Sequence, residues 1–342
     1  MDKKRKLFIH IGPHKTGSTY IQKGFVENRE LLKSNGLYYP VFGQDYLWGH
    51  HNLIGFFSDA QDKNIDELKQ NLYINDFDII ISSEDISQLP ENVIKNINFI
   101  FEDCEIIIIA YLRLASRRIF SLWQELVKAG KTSSLPEYLI KTILESRNNS
   151  ILNPLVYLGK FLDIFGIDSI KLISYDNLLH DNVDVFLYLF DSILSDYKDN
   201  YTTDGLKVNP SLPLHLVETI RLLNHLHMKK GFESSASIRN QFLKYSATKE
   251  GKLISNKLHD YFNKNRASID ITSLNYINAD LNKNAFNILK SSIQNYTENS
   301  FFYPEVLNQK VMIEYYLTEN ILFDNGIINI INEIYEKIPD IS

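Results

Sequence analysis

The chain of 342 residues contains one cysteine, Cys104, so it can form no intramolecular disulfide and fits a reducing compartment. It also lacks a run apolar enough for a bilayer. Its most hydrophobic stretch, EIIIIAYL from Glu105 to Leu112, falls far short of the roughly 20 residues a spanning helix needs. In the basic start MDKKRKLFIHIG the apolar run stops after about four residues, where a secretory core needs roughly 7–15. Positive charge is not in excess: 36 Lys and Arg face 42 Asp and Glu, for a net charge of −6. A general nucleic-acid binder is therefore not expected, and any polyanion contact must come from a local basic cluster. No repeats, low-complexity tail or tight Asp/Asn/His spacing suited to a metal stands out. These absences lead to the expectation of a cytoplasmic protein with no membrane span, no nucleic-acid partner and no required metal.

What the chain has is a core. Hydrophobic residues make up 44%, enough for one large domain or two modest ones. Short apolar runs at Lys6–Gly12, Asp76–Ser83, Cys104–Arg113 and Ser169–Tyr175 read as strands. Between them lie helical patterns, including residues 17–34, Ser116–Ala129 and PLVYLGKFLDIFG. β-Branched runs separated by 20–40 residues of helical spacing predict βαβ units in a parallel sheet. Beyond about residue 205 the pattern becomes helical, as in SLPLHLVETIRLLNHLH and EVLNQKVMIEYYLTENILF. The predicted architecture is α/β, with a P-loop-type parallel sheet flanked by helices over 1–205 and a mainly helical portion over 206–342 packed on it.

The stretch IHIGPHKTGSTYIQ, from Ile9 to Gln22, sits where the first strand gives way to a helix. Gly12 and Gly17 bracket a turn that aims backbone N–H groups and the positive helix end at an anion. Lys15 adds a mobile cation, and Thr16, Ser18 and Thr19 add hydroxyl donors. A plain glycine turn with an exposed lysine is the bland reading, and the conjunction of all these features weighs against it.

In a nucleotide triphosphatase loop the lysine follows the second glycine, where Ser18 stands here. His14, Lys15, Thr16, Gly17, Ser18 and Thr19 instead resemble the phosphosulfate loop of the sulfotransferase family, which uses 3′-phosphoadenosine 5′-phosphosulfate (PAPS). A second match is Arg113, at the end of the most apolar strand, with Ser121 eight positions on, as in the family's 3′-phosphate motif. An arginine fork and a hydroxyl two helical turns along can grip one phosphate from two sides. Arg117 and Arg118 read as surface or secondary contacts. Tyr175 and Asp176 stand where the family carries a tyrosine–acid pair, which implies a nucleotide contact for Tyr175. KVNPSL, from Lys207 to Leu212, is similar to an element of bacterial members. The resemblance covers residues 6 to 225 and implies sulfonate transfer from PAPS to a hydroxyl. A glycan or surface polysaccharide leads as acceptor, with a lipid, a phenol or a peptide tyrosine as alternatives.

For such chemistry Lys15 suits the departing phosphate oxygen. Glu84, after the second long strand, is the first candidate for the base, at the ligand edge of a parallel sheet. A glutamate ordinarily titrates near about 4.3, so partial burial would help it act. Glu84 or Asp85 capping the next turn is the structural alternative. His50 and His51 are rivals because imidazole titrates near neutrality, whereas His10, inside a strand, reads as core. Tyr46, Trp48 and Trp123 are candidates to stack on a sugar and equally ordinary core residues. Two further readings are a P-loop kinase or NTPase, which would want Lys after Gly17 and an acid directly ending a strand, and a non-catalytic nucleotide-binding relative.

Overall fold

The computed structural model describes residues 4–45, 48–197, 200–203, 206, 212–233, 236–289, 302–317 and 325–338, with 282–289 as backbone only. Its central feature is a five-stranded, fully parallel sheet of β1 (Arg5–His10), β2 (Leu37–Tyr38), β3 (Asp78–Ser82), β4 (Cys104–Leu112) and β5 (Ile170–Ser174). Their order is β2-β3-β1-β4-β5. Four of the five were readable as β-branched runs. The fifth, β2, is two residues long and too short to show a period.

Alternation along each strand sends side chains to two separate cores. Leu7 and Ile9, Ile79 and Ile81, Ile106 and Ile108, and Leu172 pack on one face. Phe8, Ile80, Ile109, Tyr111 and Ile173 pack on the other. Helices Glu91–Ile100 and Leu155–Phe165 cover the first face, and helices Ser18–Glu27 (α1) and Val185–Ser192 cover the second. Both faces are dry, which is why the strands read as continuous apolar runs.

β1 pairs with β3 on one side and β4 on the other, so the chain reverses direction of winding there. The crevice beyond the C-terminal ends of these strands is where α/β sheets hold ligands.

By contacts the chain forms two compact units that interleave along the sequence. The first comprises residues 1–115, 147–209 and 275–309, and the second 116–146, 210–274 and 310–342. The second unit contains helices Leu214–Lys229, Ala236–Ser246, Lys249–Lys264 and Asn325–Lys337. It also contains an antiparallel pair, β6 (Arg266–Asp270) with β7 (Met312–Tyr316). The helical reading of EVLNQKVMIEYYLTENILF is thus corrected at its centre. In β7, Ile313 is buried between exposed Met312 and Glu314, the period of a half-buried strand, and Tyr316 at its end is buried as well. Arg118 also departs from expectation, being buried rather than on the surface. Among the described residues no helix is long and apolar enough to cross a membrane.

Candidate active site

The anion loop runs from the end of β1 to α1 in the predicted register. Gly17 is the N-cap of α1 in the left-handed conformation, with no side-chain cap and no acidic residue in the first turn. The positive end of the helix is therefore not neutralised by a neighbour of its own. Lys15 also takes a left-handed φ of 67°, an uncommon conformation for a residue with a side chain. Its carbonyl accepts a 2.8 Å hydrogen bond from Arg113 Nη1. The Thr16 hydroxyl, predicted as a ligand donor, is turned inward and donates to the Pro13 carbonyl at 2.5 Å. Ser18 is buried and Thr19 partly exposed at the helix start.

Arg113 leaves the end of β4 beside Tyr175 and Asp176, which follow β5. Its guanidinium lies 5.0 Å from the Tyr175 ring centre, a cation–π distance, and its Nε lies 3.9 Å from Asp176 Oδ1. Asp176 is buried and accepts a 2.6 Å bond from the Leu114 N–H. The Tyr175 ring packs against Gly17, and burial pushes its phenol pKa up. Lys15, Gly17, Arg113 and Tyr175, separated by up to 160 residues, therefore form one assembly. Ser121 lies on the helix Ala115–Lys128, in the second compact unit, and is partly exposed.

Opposite the loop stands an acid–imidazole quartet. Gly12 has φ +81°, and a Cβ there would come within 2.7 Å of Glu84 Cβ. Only glycine permits that approach, and it sets Glu84 directly against the anion loop. The Glu84 side chain is 14% exposed and does not cap its turn. Its Oε2 accepts a 2.9 Å bond from Gln22 Nε2 and lies 3.7 Å from His51 Nε2. Its Oε1 lies 3.8 Å from His14 Nδ1. Asp85, 44% exposed, has Oδ2 2.9 Å from His51 Nδ1 and Oδ1 3.3 Å from His14 Nε2. These histidines hold the Asp85 carboxyl well below the usual carboxylate range, His14 foremost. The bond to Asp85, more than any other cause, raises His51 above its ordinary value.

His50 is not available as a base. It is fully buried, its Nδ1 accepts from the Ser82 N–H at 3.1 Å, and its Nε2 faces the Pro40 carbonyl at 3.0 Å. Burial lowers its pKa to about 4. His10 is buried likewise, bonded to Ser82 Oγ, and also lowered to about 4 by burial. Trp123 is buried, donating to the Ser133 carbonyl, and so is no sugar platform. Trp48 is partly exposed, with Lys23 Nζ 5.8 Å from its ring centre. Tyr46 and residues 207–211 of KVNPSL lie outside the described residues. Among the described residues no group of three His, Cys, Asp or Glu is arranged to hold a metal.

The partners that sequence reasoning missed are Gln22, His14 in its contact role, and the Asp85–His51 pair. Only the juxtaposition of acids after β3 with a histidine-bearing loop could have signalled them.

No family model matches the chain, and neither does any curated protein. Among solved structures it is similar to a sulfotransferase from Alicyclobacillus acidocaldarius, with 17% identity and a TM-score of 0.36 over 69% of this chain and 99% of that one. A likeness of that size assigns no family.

Proposed function

We propose that the chain is a sulfotransferase that moves a sulfonate from PAPS to an acceptor hydroxyl, with a glycan as the leading acceptor class. The observation that carries the reading is the contact between Gly12 and Glu84, which sets a carboxylate beside an uncapped helix end bearing Lys15. An anion cradle and a base are then within one substrate's reach. The helix's own first turn has no side-chain cap and no acid, which leaves its N–H groups to a bound 5′-phosphosulfate. Arg113 is assigned to the 3′-phosphate, and Tyr175 to the nucleotide.

In the reaction the acceptor oxygen forms a bond to sulfur as the bond from sulfur to the bridging phosphate oxygen breaks. The electron pair stays on that oxygen, where Lys15 meets the growing charge. Glu84 removes the acceptor proton. Charge on the leaving oxygen exists only as the bond breaks, so Lys15→Ala lowers turnover more than nucleotide affinity. Glu84→Gln leaves nucleotide binding nearly intact and costs on the order of a hundred- to ten-thousand-fold in rate.

Calorimetric binding of adenosine 3′,5′-bisphosphate and adenosine 5′-phosphate tests the nucleotide assignment. Arg113→Ala weakens both, because it also unbraces the Lys15 carbonyl, but it weakens the bisphosphate more. Equal losses overturn the assignment.

A further inference from the structure

Glu84 has a neighbour built to receive a proton. Asp85 Oδ2 and Ser83 Oγ each lie 2.9 Å from His51 Nδ1. An ionised carboxylate only accepts hydrogen bonds, so the Asp85 contact keeps a proton on Nδ1, with the Ser83 oxygen as a second acceptor, and leaves the lone pair of neutral His51 on Nε2. That nitrogen points at Glu84 Oε2 across 3.7 Å. Hydrogen bonds between catalytic groups are often this loose before the reacting complex forms. The His51 ring is walled on its other side: a Cβ on Gly49 would stand 2.5 Å from its Nε2 and 2.9 Å from Gln22 Nε2. Gln22, buried, fixes the same Glu84 oxygen at 2.9 Å.

We propose that Asp85, His51 and Glu84 form a proton relay in which Glu84 takes the acceptor proton on Oε2, His51 Nε2 receives it, and Asp85 is the positioning residue that holds the imidazole. It rests on the transfer reading above. The balance is complete without a further reactant. The acceptor O–H bond breaks, its proton moves to the Glu84 carboxylate and then to His51, and the resulting imidazolium releases it to water. A carboxylate is ordinarily a poor resting place for a proton at neutral pH and an imidazole a better one, so the second transfer draws the first forward.

The groups that bear on His51 are Glu84 and Asp85 after β3, Asp45 and His50 on its own loop, and His14 across the two acids. His51 must be neutral to receive, so activity rises with pH through its titration. An imidazolium acting only as a structural cation for Glu84 would give the opposite slope.

The test pairs histidine NMR titration with pH profiles of sulfonate transfer from PAPS to a pool of methyl glycosides. Asp85→Asn removes the charge but keeps the shape. It is expected to lower the His51 titration midpoint and move the acidic limb of kcat/KM down by the same amount. His51→Gln is expected to cut turnover at least tenfold and abolish that limb, with adenosine 3′,5′-bisphosphate affinity unchanged. His14→Gln should leave the limb in place. Turnover with a limb unmoved in both Asp85→Asn and His51→Gln overturns the relay and leaves the transfer reading standing. A limb that His14→Gln abolishes instead also overturns it. A wild-type protein that transfers nothing from PAPS to any acceptor removes both.

Discussion

At the scale of single residues, the adjacent pair His50 and His51 divides structure from chemistry. His50 is sealed beneath the loop as a neutral imidazole with both nitrogens bonded, while His51 turns toward two carboxylates with 17% of its side chain exposed. Gly49 makes the second placement possible. Gly49→Ala forces the His51 ring or Gln22 aside, so a loss of at least tenfold in turnover is expected with nucleotide affinity nearly unchanged. Steady-state kinetics beside calorimetry would show it, and wild-type turnover would mean the ring is not held there. Lys15 and Glu84 could be named as candidates from the sequence because each lies within five residues of a strand end that could be read. The His51–Asp85 pairing was not. It joins residues 34 positions apart, and neither local period nor spacing encodes where the loop bearing His51 folds back.

At the scale of elements, the segment read as one helix from 17 to 34 is two, Ser18–Glu27 and Arg29–Ser34, meeting at Asn28. Asn28 is buried. Its amide donates to the carbonyls of Gly24 and Thr202 and accepts from the Thr202 N–H at 3.0 Å. Asparagine commonly offers the backbone such alternatives to helical bonding. Asn28→Ala strands the Thr202 amide and is expected to cost about 1–3 kcal/mol, read as a lower urea midpoint with an unchanged slope. An unaltered midpoint would show that water replaces these bonds. The long strands were legible because burial on both faces makes them uniformly apolar. β7 was misread because isolated apolar residues in VMIEYYLTENI satisfy helical spacing as well as alternation. Its pairing with β6 was decided by a segment more than 40 residues away.

At the scale of the molecule, two buried histidines set the response to acid. His10 and His50 both have pKa values lowered to about 4 by burial, against about 6.5 when unfolded. The folded chain therefore binds fewer protons than the unfolded chain between those limits. Their contribution is fully present above about 6.5 and is lost as pH falls toward 4. With both groups, stability falls by up to about 3 kcal/mol per pH unit in mid-window. His51, shifted the other way, acts above 6.5 and does not mask this. Urea unfolding from pH 5 to 7.5 measures the slope, and a flat profile between 5 and 6.5 would mean that His10 and His50 charge without unfolding.

The interleaving of the two units governs how the chain can be made. Phe302 and Val306 belong to the same core cluster as Leu7 and Ile79, and they lie in the third segment of the first unit, residues 275–309. The strands of the parallel sheet and the helices Glu91–Ile100 and Leu155–Phe165 that cover this face all precede residue 175, yet its core is complete only when Phe302 and Val306 join it, with about nine-tenths of the chain made. Its contacts are of long range in sequence, which slows closure and leaves apolar surface exposed meanwhile. Fragments ending before about residue 300 would contain the whole parallel sheet and still lack the last part of its core, and are expected to be less stable than the full chain.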